Sequence, residues 1–245
     1  MKTKEERYAE LVSRVKEYFV DSSDDKSIPM IWCHECEEIN LWAYWQGSLN
    51  AKILLVGQDW GSPYDKTAAN VMSNIRAMKS GADVSYMQGN DSKTNNNLKI
   101  LFSVLDYDIE KKEEDLFFTN FVLGYRNHGF SGGRLNDWEE TSAHFFYELV
   151  DIVEPEIIIC LGKFTFLGVL YAFGQKKKIS NYNRFIESDE NPINVELKNK
   201  KTISVYAVAH CGIMGTMNRN GRKSSDNLDK QKEDWRRICK KITWR

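Results

Sequence analysis

The chain has 245 residues, of which 42 % are apolar and 12 % aromatic, a balance that excludes a disordered or collagen-like polypeptide and suits one α/β domain around a single core. A formal net charge of −1 supplies no global basic field for nucleic acid, so phosphate contacts must come from a local patch. The start MKTKEERYAEL lacks the apolar segment of a signal peptide, no apolar run is long enough to cross a bilayer, and five cysteines, an odd number, suit reduced thiols; the expectation is a cytoplasmic protein without a membrane partner.

Residues 3–20 predict an amphipathic helix, with Tyr8, Leu11, Val12, Val15 and Phe19 at helical spacing. A polar loop leads to the aromatic stretch MIWCHECEEINLWAYWQG, expected as a packed N-terminal layer, with Gly47 and Asn50 turning the chain into the sheet. KILLVG is a strand buried on both faces, because its hydrophobicity is continuous and it is too short for a free-standing helix. Helical segments follow near 67–79 and 95–105. DLFFTNFVLG is the second strand. Asp137, with Glu140 three residues on, predicts a capping box for a helix that runs to about Val153 and stops before Pro155. EIIICLG is the third strand and KFTFLGVLYAF the helix after it. The polar segment 174–201 leaves room for a hairpin arm, TISVYAVAH is the fourth strand, and SSDNLDKQKEDWRRICKKI closes the chain as a helix that buries Trp235, Ile238 and Ile242.

Strands alternating with helices require right-handed crossovers and a mostly parallel sheet. The expected fold is therefore α/β, three layers α/β/α around a four-stranded sheet. It forms one domain over 1–245, with a helix and aromatic layer in 1–50 and the core in 51–245. In such sheets ligands bind beyond the carboxyl ends of the strands. Asp59, Asn120 and His210 each follow such an end, which places an acid, an amide and an imidazole on one rim. Taken singly, each residue also has a plain structural reading: Asp59 as a turn or helix cap, Asn120 as a turn residue, His210 as a packed side chain. No Gly-x-Gly-x-x-Gly follows a strand, and Leu161-Gly162-Lys163-Phe164-Thr165 lacks the earlier glycine of a P-loop, so neither nucleotide motif is present.

Four segments, in order, resemble the uracil-DNA glycosylase superfamily. Gly57-Gln58-Asp59 is similar to the start of its Gly-Gln-Asp-Pro-Tyr-His motif. LFFTNFVLGYRNHG resembles the segment in which an Asn precedes a Val-Leu-x-x-Arg pattern. EPEIIICLGKFTF resembles the third strand, and His210 in VAHCGIMG stands where His-Pro-Ser-Pro-Leu begins. The resemblance covers about residues 50–240 and implies a DNA-base glycosylase that hydrolyses the N-glycosidic bond of a flipped uracil-like or modified base, with no cofactor, on DNA carrying a damaged base. By the same resemblance Asp59 orients water and stabilises an oxocarbenium-like sugar, Asn120 reads the base edge beside Gly57, Gln58, Trp60 and Gly61, and His210 donates to O2 of the leaving base. Met214, with Ile213 beside it, stands at the apolar wedge, and Gly212 replaces the rigid phosphate loop. Trp60-Gly61-Ser62 departs from Pro-Tyr-His, and Gly61 removes the wall that excludes the thymine methyl. The stacking aromatic is sought among Trp60, Tyr64 and Phe121, since Met72 stands at the family spacing.

Arg219, Arg222 and Lys223 form a basic cluster after the His motif, expected to hold phosphates or else to be an exposed loop. Cys33 and Cys36 form a C-x-x-C pair, but no cysteine lies between Cys36 and Cys160, which breaks the spacing of an iron–sulfur site; zinc is the other metal such a pair could take. Cys160 and Cys211 are expected simply to pack. Two further functions stay open: a non-catalytic protein of the same fold that recognises a modified base or nucleotide, and a hydrolase of free nucleosides or nucleotides.

Overall fold

The structure, a computed structural model, describes residues 2–19, 30–32, 47–59, 61–62, 73, 76–77, 80–82, 92–109, 115–127, 139–221 and 226–240. Five strands form the central sheet: β2 (Ile53–Gly57), β3 (Leu116–Asn120), β5 (Ile157–Leu161), β6 (Ile193–Glu196) and β7 (Thr202–Val208). Their spatial order is β3-β2-β5-β7-β6. The first four run parallel and β6 lies antiparallel on β7. The expected four-stranded sheet thus gains a fifth, edge strand, the first half of a hairpin with β7 whose turn contains Lys200 at φ +71°. Among the described residues a separate two-stranded ribbon pairs β1 (Met30–Ile31) with β4 (Tyr125–Arg126).

The central strands β2 and β5 are buried on both faces, which explains why they are continuously apolar rather than alternating. Leu54, Val56, Ile158, Cys160, Val205 and Ala207 face one layer. That layer is built from α1 (Lys4–Tyr18), α3 (Glu139–Val153), α4 (Lys163–Ala172) and α5 (Tyr182–Glu187). Ile53, Leu55, Ile157, Ile159, Tyr206 and Val208 face the other, where α2 (Lys93–Ser103) and α7 (Asp229–Cys239) supply Leu101, Phe102, Trp235 and Ile238. The three-layer α/β/α architecture is as the strand–helix alternation requires. A short helix α6 (Ile213–Arg219) follows β7.

Local chemistry sets the helix starts. Thr3 and Glu6 form a reciprocal capping box on α1, and Ser92 caps α2 by accepting from the Asn95 amide at 3.2 Å. Gly162, at φ +99°, turns β5 into α4. Cys160 and Cys211 are buried thiols, and burial pushes the Cys211 thiol up to about 12. Asp137, the 67–79 helix apart from Ser73, Arg76 and Ala77, and the aromatic layer other than Trp32 lie outside the described residues, as does Ile242.

Candidate active site

Strand order fixes where a site can lie. The chain goes from β2 to β3 on one side and later to β5 on the other, so the loops diverge at the carboxyl ends of β2 and β5. Such a switch point opens a crevice. A cleft of about 880 Å³ lies there, and Asp59, Asn120 and His210 all line it, from the ends of β2, β3 and β7. The three strand-end residues do converge, although 151 positions separate the first from the last.

Asn120 sits opposite Gly57 in the β2–β3 register and is 3 % exposed. Among the described residues its amide makes no hydrogen bond, and the residue lines the cleft. A buried amide without a protein partner is costly unless something else satisfies it. Gly57 makes this placement feasible: a Cβ there would lie 2.2 Å from Asn120 Oδ1.

Asp59 is held firmly. Its Oδ1 accepts from the Gly61 amide and from Arg126 Nε, each at 2.7 Å, while among the described residues Oδ2 accepts only from Gln58 Nε2, at 3.3 Å. The side chain is 4 % exposed. The turn reading of Asp59 holds for Oδ1, which accepts from the amide two residues on. Arg126 also donates its backbone amide to Gly61 O at 2.8 Å, so β4 clamps the loop from two directions.

His210 takes its tautomer from the loop that follows it. The Gly212 amide donates to Nδ1 at 2.9 Å, which makes Nδ1 the acceptor and leaves the proton of the neutral ring on Nε2. Burial lowers the imidazole below its ordinary value of 6.5, and the Asp59 charge acts in the opposite direction. The main-chain oxygen of His210 accepts from Gln231 Nε2, and Asn97 Nδ2 donates to Cys211 O at 2.7 Å, so α7 and α2 pin the loop. Gly215 is required by close approach, since a Cβ there would lie 2.1 Å from His210 O.

Several expectations need correction. Arg219 does not face a phosphate: it is buried, paired in two parallel hydrogen bonds with Asp234 at 2.8 Å and with Glu187 at 2.8 Å. The Gly212 amide is spent on His210 and so is not a free donor for a phosphate loop. Phe121 is fully buried among Phe146 and Phe164 and cannot stack on a ligand; among the described residues the aromatics lining the cleft are Phe118 and Phe164. Gly57 and Gln58 line the cleft, and Gly61 adjoins Arg126. Met214 lines it too and is 67 % exposed, beside Ile213 at 53 %. Trp60, Tyr64, Met72, Arg222, Lys223, Cys33 and Cys36 lie outside the described residues. Among the described residues no group of three His, Cys, Asp or Glu could hold a metal. Sequence reasoning passed over Thr94, Asn95 and Arg126 as site residues. Arg126 had a signal in the Val-Leu-x-x-Arg pattern, whereas Thr94 and Asn95 reach the cleft only through the packing of α2.

Fold and site together define an α/β/α protein with a cleft at the carboxyl edge of its parallel strands, lined by both polar and apolar side chains. No protein-family model matches the chain, and no curated protein matches it. Among the described residues no helix is long and apolar enough to cross a membrane.

Proposed function

We propose that the chain hydrolyses the N-glycosidic bond of a uracil-like or modified base in DNA. The observation that carries this reading is the unpartnered, buried Asn120 amide in the same cleft as a carboxylate and a neutral imidazole. An amide whose carbonyl accepts from a ring N–H and whose NH₂ donates to the adjacent carbonyl selects a uracil-type edge, and cytosine reverses that pattern. Asp59 Oδ2, which accepts a single long hydrogen bond from Gln58 Nε2 where Oδ1 accepts two short ones, orients the water and stabilises positive charge on the sugar. His210 Nε2–H donates to the oxygen on which the leaving base gathers negative charge. A neutral donor suits this task because the loop holds it in place before charge develops. Ile213 and Met214 supply an exposed apolar edge at the cleft mouth, suited to enter the gap left by a flipped nucleotide. That edge favours a polymeric substrate over a free nucleoside.

The test is an abasic-site cleavage assay on oligonucleotides carrying a panel of altered bases, single- and double-stranded. Asp59→Asn and His210→Ala should each lower the rate about 10²–10⁴-fold. Activity that survives both substitutions removes the site assignment. A second reading, base binding without cleavage, draws on one observation: Asp59 is already ion-paired with Arg126. Wild type that binds such DNA yet excises no base would establish that reading instead.

A further inference from the structure

A second cavity, of about 350 Å³, lies between β7, α7 and the turn 188–191 that follows α5, and it shares no lining residue with the cleft. Strand lengths explain its place. β6 pairs with β7 only over Thr202–Val205, so among the described residues β7 has no strand partner on that side beyond Val205. Asn191 stands in for one: its Oδ1 accepts from the Ala207 amide at 2.9 Å, and its Nδ2 donates to Ala207 O at 3.0 Å and to Ile186 O at 3.1 Å. The turn is thereby fixed against the strand edge, and the buried side chains of Ile186, Val208 and Ile238 give the cavity an apolar wall. Tyr206 belongs to the same wall. It is 3 % exposed, and among the described residues its hydroxyl makes no hydrogen bond. A hydroxyl on a side chain so enclosed is costly unless an occupant or water meets it.

Charge around this cavity is divided by element. The α7 side brings Arg237 and Lys240, and the turn brings Asp189. Arg237 Nη1 donates to Glu187 O at 2.7 Å, which fixes the guanidinium and leaves its Nε and Nη2 without a hydrogen bond among the described residues. Lys240 and Asp189 make no ion pair among those residues either. The other two acids are committed: Asp234 gives both oxygens to Arg219, and Glu187 Oε1 pairs with the same guanidinium. An anion alone would meet Asp189 as well as the cations, and a cation alone would meet Arg237 and Lys240. A small molecule carrying both signs on an apolar body satisfies all three and the wall besides. We infer that this cavity binds a free α-amino acid with an apolar side chain. The carboxylate would accept from Arg237 Nη2 and the Tyr206 hydroxyl beside the Lys240 charge, the ammonium would donate to Asp189, and the side chain would lie on Val208 and Ile238. Nothing in this assignment depends on what the cleft hydrolyses.

The test titrates leucine and phenylalanine, with leucinamide (no carboxylate), N-acetylleucine (no ammonium) and glycine (no apolar body), against the full chain, Arg237→Gln and Asp189→Asn. Calorimetry reads affinity, and the NMR methyl signals of Val208 and Ile238 report where the ligand lies. Leucine or phenylalanine should bind and shift both sets of signals. Leucine should bind roughly tenfold or more tightly than leucinamide and N-acetylleucine, the loss expected for a hydrogen bond to a charged group, and more tightly than glycine. Arg237→Gln should remove the preference over leucinamide, and Asp189→Asn the preference over N-acetylleucine. The inference is overturned if neither amino acid binds, if binding leaves Val208 and Ile238 unshifted, or if wild type holds leucinamide or N-acetylleucine as tightly as leucine. Leucine affinity unchanged in Arg237→Gln overturns it as well. Both substituted side chains are exposed, and the ligand comparison on wild type stands without them. Base release from DNA is scored separately on the same protein, so amino-acid binding without excision removes the hydrolase reading alone, and excision without amino-acid binding removes this one alone.

Discussion

At the scale of single residues, the site is made by partners that each leave one atom over. Asp59 keeps Oδ2 because Gly61 and Arg126 both use Oδ1, and His210 keeps Nε2–H because Gly212 occupies Nδ1. These arrangements have a consequence for stability against pH. The His210 imidazole is lowered by burial, so between its folded value and the ordinary 6.5 the unfolded chain binds the proton and the folded chain does not. Stability is therefore full above about pH 6.5 and falls as the pH drops through that window, flattening once the folded ring also protonates. Urea unfolding of wild type and His210→Asn from pH 7.5 to 5 should show a smaller acid loss in the variant. An identical pH slope in both would rule out this linkage.

At the scale of elements, α6 is short and capped by a glycine with no side-chain hydrogen bond, so it needs an external anchor. Arg219 provides it. Its guanidinium joins Asp234 on α7 and Glu187 at the end of α5, and so ties down the last residue of the helix that begins at the exposed Ile213 and Met214. Removing one partner of a buried pair strands the other charge, so Arg219→Ala should cost about 3–5 kcal/mol in denaturant unfolding. The double variant Arg219→Met, Asp234→Leu should cost less than Arg219→Ala, since no charge is then left buried. If the single substitution costs under about 1 kcal/mol, the range of an exposed pair, the anchor role is wrong.

For the whole molecule, β2 and β5 lie at the centre of the sheet and have helices on both faces, whereas β6 is an antiparallel edge with alternating exposure. Amide exchange should accordingly be slowest in Ile53–Gly57 and Ile157–Leu161, opening only with global unfolding, and faster in Ile193–Glu196. Mass-spectrometric hydrogen exchange that finds β6 as protected as β5 would contradict this. The same centrality explains why the switch point between β2 and β5 is the rigid place on which to mount a site, with the exposed Ile213 and Met214 at its rim.

Much of this was legible before folding is considered. Continuous apolar runs of five or so residues, separated by helical periods, determine a parallel sheet covered on both sides, because only strands with two buried faces are so written. Local residues also set the ends: Asp59, Asn120 and His210 each follow a strand, and the rule that strand ends meet at one rim brings them together without knowledge of register. What one dimension does not contain is who is neighbour to whom across that rim. Arg126 looked like part of a motif and Arg219 like part of a basic patch, yet one guanidinium ends in the cleft on Asp59 and the other in the interior on Asp234. Composition cannot tell them apart, since an arginine's fate depends on which carboxylate the packing places within reach. Only the tertiary structure decided that, because burial and charge pairing are properties of contacts between distant segments.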